Sequence, residues 1–89
     1  MYLHLGNDQV IAGDQVIVIL NLELSTAKQF DHIIETAQRS QRLTNISKNG
    51  KKKALVVCNE RVYISPISSH TLLKRASKYH REGLNLEKS

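Results

Sequence analysis

Ser47 to Ser65 reads SKNGKKKALVVCNERVYIS, a basic turn that feeds straight into an apolar hairpin. Asn49-Gly50 is the strongest two-residue hairpin signal in the chain. Both central positions of a type I′ turn need positive φ, which Asn tolerates and Gly takes without steric cost. On this reading Lys48, Lys51, Lys52 and Lys53 sit at an exposed hairpin tip, held out by the strand that continues through Ala54-Leu55-Val56-Val57-Cys58. The Asn59-Glu60 turn joins that strand to Arg61 to Ser65, and Leu43 to Lys48 leads into the first turn. The middle of the chain is therefore expected to be a three-stranded antiparallel meander.

Downstream, Pro66 ends the meander because it cannot donate to a ladder. Ser68 is placed as the N-cap of a last helix, with Ile67 packing on Leu72 as a hydrophobic staple. Leu72, Leu73, Ala76 and Tyr79 form the apolar stripe of that helix. Lys74, Arg75, Lys78 and Arg81 form a basic stripe, and Gly83 suits the position just past its end. Upstream, Ala27, Phe30, Ile33, Ile34 and Ala37 recur at helical spacing, which predicts a helix from Ala27 to about Gln41 with Thr26 and Gln29 as a capping box. Tyr2 to Leu5 and Gln9 to Ala12 read as short strands separated by Gly6-Asn7-Asp8. Gln15 to Asn21 is β-branched almost throughout and, like Ala54 to Cys58, apolar on both faces of a period-2 pattern, which requires a covering layer on each side. In so short a chain, a second protomer is one source of that layer.

Eighty-nine residues make one domain, able to bury roughly 60 to 65% of its unfolded surface. Residues 1–83 are assigned to it, with 84–89 as a frayed tail. With three Tyr, one Phe and no Trp, the core must be aliphatic. The lone Cys58 cannot form an internal disulfide and reads as a buried small hydrophobe in a reducing compartment. No apolar run approaches the ~20 residues of a membrane span, and MYLHLGND has neither the basic nor the apolar region of a signal peptide. The expected location is the cytoplasm, without membrane contact.

The net charge of +5 is unevenly distributed: −4 over residues 1–38, +10 over residues 39–81 and −1 over residues 82–89. That asymmetry points to a polyanion as partner. Lysines at a strand tip also have a purely solvating role that blunts edges. Arg39, Arg42 and the last helix contribute the same sign from separate elements, which favours binding. Crowding lysines costs the fold little, about 0.7 kcal/mol per pair roughly 6 Å apart in water. Few aromatic residues are available to stack unpaired bases, so double-stranded DNA fits better than a single strand.

Catalytic signals are weak. Ser25-Thr26-Ala27-Lys28 matches S-x-x-K but lacks the accompanying motifs and suits a helix start. His4, His32, His70 and His80 have no metal-ligand spacing. There is no G-x-G-x-x-G and no phosphate-binding loop. The expectation is a non-enzyme with no cofactor, no metal and no small-molecule substrate.

MYLHLGND at the start, Asn-Gly-Lys-Lys-Lys before ALVV, and YISPISSHTLLKRA together resemble the extracellular matrix regulatory protein family of Gram-positive bacteria, the RemA and RemB type, nearest its RemB branch. The likeness runs over residues 1 to 80 in one register. It implies a cytoplasmic DNA-binding transcription regulator of biofilm-matrix genes, with protomers of LytTR-like fold assembled as a homo-oligomeric ring. In that family a pair of arginines in the turn before the apolar strand is tied to DNA contact. Their counterparts here are Lys51 and Lys52, with Lys53 beside them, and Arg75 matches an arginine of the last helix. The turn is one residue shorter here, and an arginine of the early strands falls near Asp14-Gln15. The combined expectation is an α+β domain of short N-terminal strands, helix, meander and C-terminal helix. It self-associates and contacts double-stranded DNA through Lys48, Lys51, Lys52, Lys53, Arg75 and Lys78. The competing reading is a non-catalytic assembly module whose basic face meets an acidic protein or RNA.

Overall fold

A computed structural model describes residues 2–77 of the chain. The fold is mixed α+β. Strand β1 (Tyr2–Gly6) pairs with β2 (Gln9–Ala12) as an antiparallel hairpin. Its turn residues Asn7 and Asp8 have φ of 47° and 67°, both positive as a type I′ turn requires. Leu3, Leu5 and Ile11 point into the core, while Tyr2 and Val10 face out.

A 3₁₀ turn at Gly13–Gln15 leads to β3 (Val16–Asn21). A second 3₁₀ turn, Ala27–Phe30, runs into helix α1 (Asp31–Arg39). Strands β4 (Leu43–Asn45), β5 (Ala54–Cys58) and β6 (Val62–Ser65) come next, and helix α2 occupies 69–77 of the described residues. The four longer-range strands form one sheet in the order β3-β5-β6-β4. β5 is antiparallel to both β3 and β6, whereas β4 runs parallel to β6.

The two-sided apolar character of β5 is explained within the chain. Ala54, Val56 and Cys58 join Tyr63, Leu3, Leu5, Ile11 and Leu72 on one face, under the hairpin and α2. Leu55 joins Val62, Ile64 and Ala37 on the other, under α1, with Phe30, Ile33 and Ile34 packed around them. Leu55 and Val56 are fully buried, each worth about 1.5 to 3 kcal/mol of transfer free energy. The result is three layers: hairpin with α2, sheet, and α1.

The meander expected from the sequence does not form. Leu43 to Asn45 pairs with β6 in parallel, Leu43 opposite Val62 and Asn45 opposite Ile64, and never touches β5 in the ladder. The segment 46–53 crosses the C-terminal end of β6 before β5 begins. Asn49 lacks the positive φ that a type I′ turn demands; Gly50 alone has it, at 73°. A two-residue turn would also have set Lys48 directly opposite Lys51, a destabilising like-charge pair. Ile46 instead turns into the core, 6% exposed.

Three smaller expectations are also corrected. The first helix begins with a 3₁₀ turn, and Thr26 provides no side-chain cap, since its φ/ψ of −87°/3° is not the extended conformation a capping residue adopts. It ends at Arg39, because the Ser40 hydroxyl donates to the Thr36 carbonyl at 2.9 Å and Gln41 turns left-handed at φ 59°. β3 is an edge strand covered on both faces only in its second half, where Ile19 packs on one core cluster and Leu20 on the other; at a bulge between Val16 and Val18, Ile17 is 65% exposed and Val18 39%. Leu73 is 48% exposed, so the apolar stripe of α2 is narrower than expected. The Ser68 N-cap does form, its hydroxyl oxygen accepting from the Thr71 amide at 3.2 Å, and Ile67 packs on the cluster that holds Leu72. Tyr79, Arg81, Gly83 and the tail lie outside the described residues.

Candidate nucleic-acid interface

The basic loop 46–53 is fixed at its base by its neighbours. The Ile46 amide donates to the Ile64 carbonyl at 2.9 Å, and the Lys53 amide donates to the Ser65 carbonyl at 3.0 Å. The Lys53 carbonyl in turn accepts from the Leu22 amide at 3.0 Å. The hairpin adds a third support, the Asn7 side-chain amide donating to the Ile46 carbonyl at 2.7 Å. The loop is therefore closed by backbone bonds at both ends while Lys48, Lys51 and Lys52 stand exposed and Lys53 is half-buried. Loop entropy is spent largely in folding, which lowers the cost of presenting the ammonium groups to a partner.

Two contacts hold the hairpin beside this loop. The buried Ser65 hydroxyl donates to the Leu5 carbonyl at 2.6 Å and accepts from the Ile67 amide at 3.0 Å. Gly6, at φ 112°, lies so close to Pro66 that a Cβ there would meet the Pro66 ring at 3.0 Å. Arg75 projects from α2 and its guanidinium donates to the His4 carbonyl at 3.1 Å. Arg75 and the lysine loop thus rest on the same strand-turn segment, at His4 and at Asn7. Lys78 lies outside the described residues.

The structure separates Arg39 and Arg42 from this cluster. Both lead into β4, whose first residue pairs with the first residue of β6, whereas the lysine loop crosses the far end of β6. Arg39 forms an exposed ion pair with Glu35 at 3.6 Å, and the Arg42 Nε donates to the Ser40 hydroxyl at 3.0 Å. Arg61 is at that same end, its guanidinium on the Thr44 hydroxyl at 2.8 Å.

One basic residue near the loop is missed by the sequence pattern. Lys28, from the acidic N-terminal part of the chain, shares with Lys52 a groove of about 490 Å³ lined also by Leu24, Asp31, Ile34 and Ile64. The only signal for it is topological: β3 ends where β5 begins, Asn21 opposite Ala54, so the segment leaving β3 lies near the segment entering β5. Cys58 takes no part. Burial pushes its thiol above the ordinary value of 9.0, which keeps it a neutral core group.

No helix among the described residues is long and apolar enough to cross a membrane. Residues 2–76 match the family described as RemA-like, extracellular matrix regulatory protein A-like. The chain is also similar to extracellular matrix regulatory protein B of Bacillus subtilis (strain 168), with 35% identity over 77 residues, spanning 85% of this chain and 90% of that protein. A match that runs through the hairpin, the sheet and most of α2 covers the whole described fold, and on it the chain belongs to the RemA-like extracellular matrix regulatory protein family.

Proposed function

We propose that this protein regulates biofilm-matrix genes by binding double-stranded DNA through the loop 46–53, with Lys51 and Lys52 as the principal phosphate contacts and Lys48, Lys53, Arg75 and Lys78 as further contacts. The observation that carries this reading is the anchoring of the loop. Three exposed lysines stand on a segment whose two ends are hydrogen-bonded into the sheet and the hairpin. A solvating cluster has no need of such fixation, whereas phosphate recognition gains from it. Lysine acts on phosphate as a point charge and sets no bidentate geometry, so the loop supplies affinity and register rather than base reading.

About four phosphate contacts per chain would give a log-log salt slope near −3.6, or roughly a hundredfold loss of affinity between 50 and 200 mM salt. The test is duplex binding by gel shift with Lys51, Lys52 and Lys53 replaced by Ala. Binding is expected to vanish while the circular dichroism spectrum and oligomer size stay at wild type, because the anchoring bonds are backbone bonds that Ala retains. Unaltered binding by the triple variant would refute the assignment.

Self-association is part of the proposal. Among the described residues β3 pairs on one side only, and it exposes Ile17 and Val18, an apolar edge of the kind that pairs with another strand unless blocked. In a closed ring the loop would recur around a rim, and modest contacts would add along one duplex.

A further inference from the structure

We propose that Lys28 is a further phosphate contact, and that the groove it shares with Lys52 seats the sugar-phosphate backbone of the bound duplex. This rests on the DNA-binding reading above and extends the site to the segment that leaves β3.

Four observations carry it. Lys28 and Lys52 are 24 positions apart in sequence, yet line one groove. The ladder fixes that juxtaposition: the Leu22 amide bonds to the Lys53 carbonyl, so the segment leaving β3 and the basic loop are tied at one end of the sheet. Lys28 is exposed, and the ion pair found among the described residues joins Arg39 to Glu35, so no carboxylate of the described residues stands within ion-pair range of either groove lysine. The remaining lining is mostly apolar, from Leu24, Ile34 and Ile64, a surface that a deoxyribose face can cover without stranding a polar group.

Asp31 also lines the groove and opposes an anion there. It opens α1, where a carboxylate is favoured by the helix dipole, so its placement has a structural cause. That makes it a second probe: removing its charge should strengthen binding if a phosphate strand lies in the groove.

The experiment is a fluorescence-anisotropy titration of a duplex against the full chain and its Lys28→Ala, Lys28→Arg, Asp31→Asn and Lys51→Ala/Lys52→Ala variants from 50 to 200 mM salt, each checked for fold by thermal melting. Lys28→Ala is expected to make the salt slope shallower by ~0.9, the loss of one phosphate contact. Lys28→Arg should restore the slope, and Asp31→Asn should tighten binding roughly two- to fivefold. If Lys28→Ala and Asp31→Asn both match wild type while the double lysine variant loses affinity, the groove proposal is overturned and the loop assignment survives. If the double lysine variant also matches wild type, the loop assignment itself fails. Lys28-dependent binding of polyglutamate, with no Lys28 effect on duplex binding, would likewise overturn the proposal in favour of an acidic protein.

Discussion

Gly6 illustrates how much one residue can fix. Its φ of 112° is a conformation that L side chains rarely adopt, and the Pro66 ring stands 3.0 Å from where a Cβ would be. The close approach lets the hairpin lie against the exit of β6, where Ser65 bonds to Leu5. Gly6→Ala is expected to cost about 2 to 3 kcal/mol, combining backbone strain with a steric conflict against a rigid ring; urea denaturation measures it directly. Cys58 supports a pH prediction. Its folded thiol titrates above the ordinary value because burial disfavours the thiolate, so the unfolded chain releases that proton first. Stability from this group is intact below the ordinary thiol pKa and declines as pH rises from there towards the folded value. Urea midpoints at increasing alkaline pH should fall more steeply for wild type than for Cys58→Ala.

Among the elements, the loop 46–53 departs furthest from its reading in sequence. A strong turn dipeptide implied a tight hairpin, but the chain places its type I′ geometry at Asn7-Asp8 and uses Asn49-Gly50 inside a longer crossover. The difference is measurable. Asn49→Ala is expected to be neutral within about 0.5 kcal/mol, since Asn49 holds no left-handed conformation. Gly50→Ala should cost about 1 kcal/mol from its φ of 73° alone, because nothing lies within 4 Å of its Cβ position. Equal, large losses at both positions would restore the hairpin. The elements that were legible had their determinants nearby: Ser68 capping α2, Pro66 closing β6, and the apolar run of β5. The pairing of β4 was not legible, because three residues carry too little pattern to choose between an antiparallel neighbour and a parallel one.

Across the whole molecule, β3 forms one edge of the four-stranded sheet, and among the described residues its first half is incompletely covered. β5 is covered on both faces, but Ile17 on the sheet edge is 65% exposed. If β3 is the self-association edge, Ile17→Lys should shift the light-scattering mass towards the monomer and weaken duplex binding through lost multivalency, while the melting temperature of the protomer changes little. An unchanged mass would place the contact elsewhere. Sequence by itself determined the α+β class, the aliphatic core, the capped last helix and the concentration of positive charge on residues 39–81, because each rests on local chemistry or on composition. Only the tertiary structure decided that β4 joins β6, that Arg39 and Arg42 stand at the other end of the sheet from the lysine loop, and that Lys28 comes to that loop. Those placements depend on which strands pair across long separations, and that choice is made by the shared core, to which no single stretch of the chain contributes more than a part.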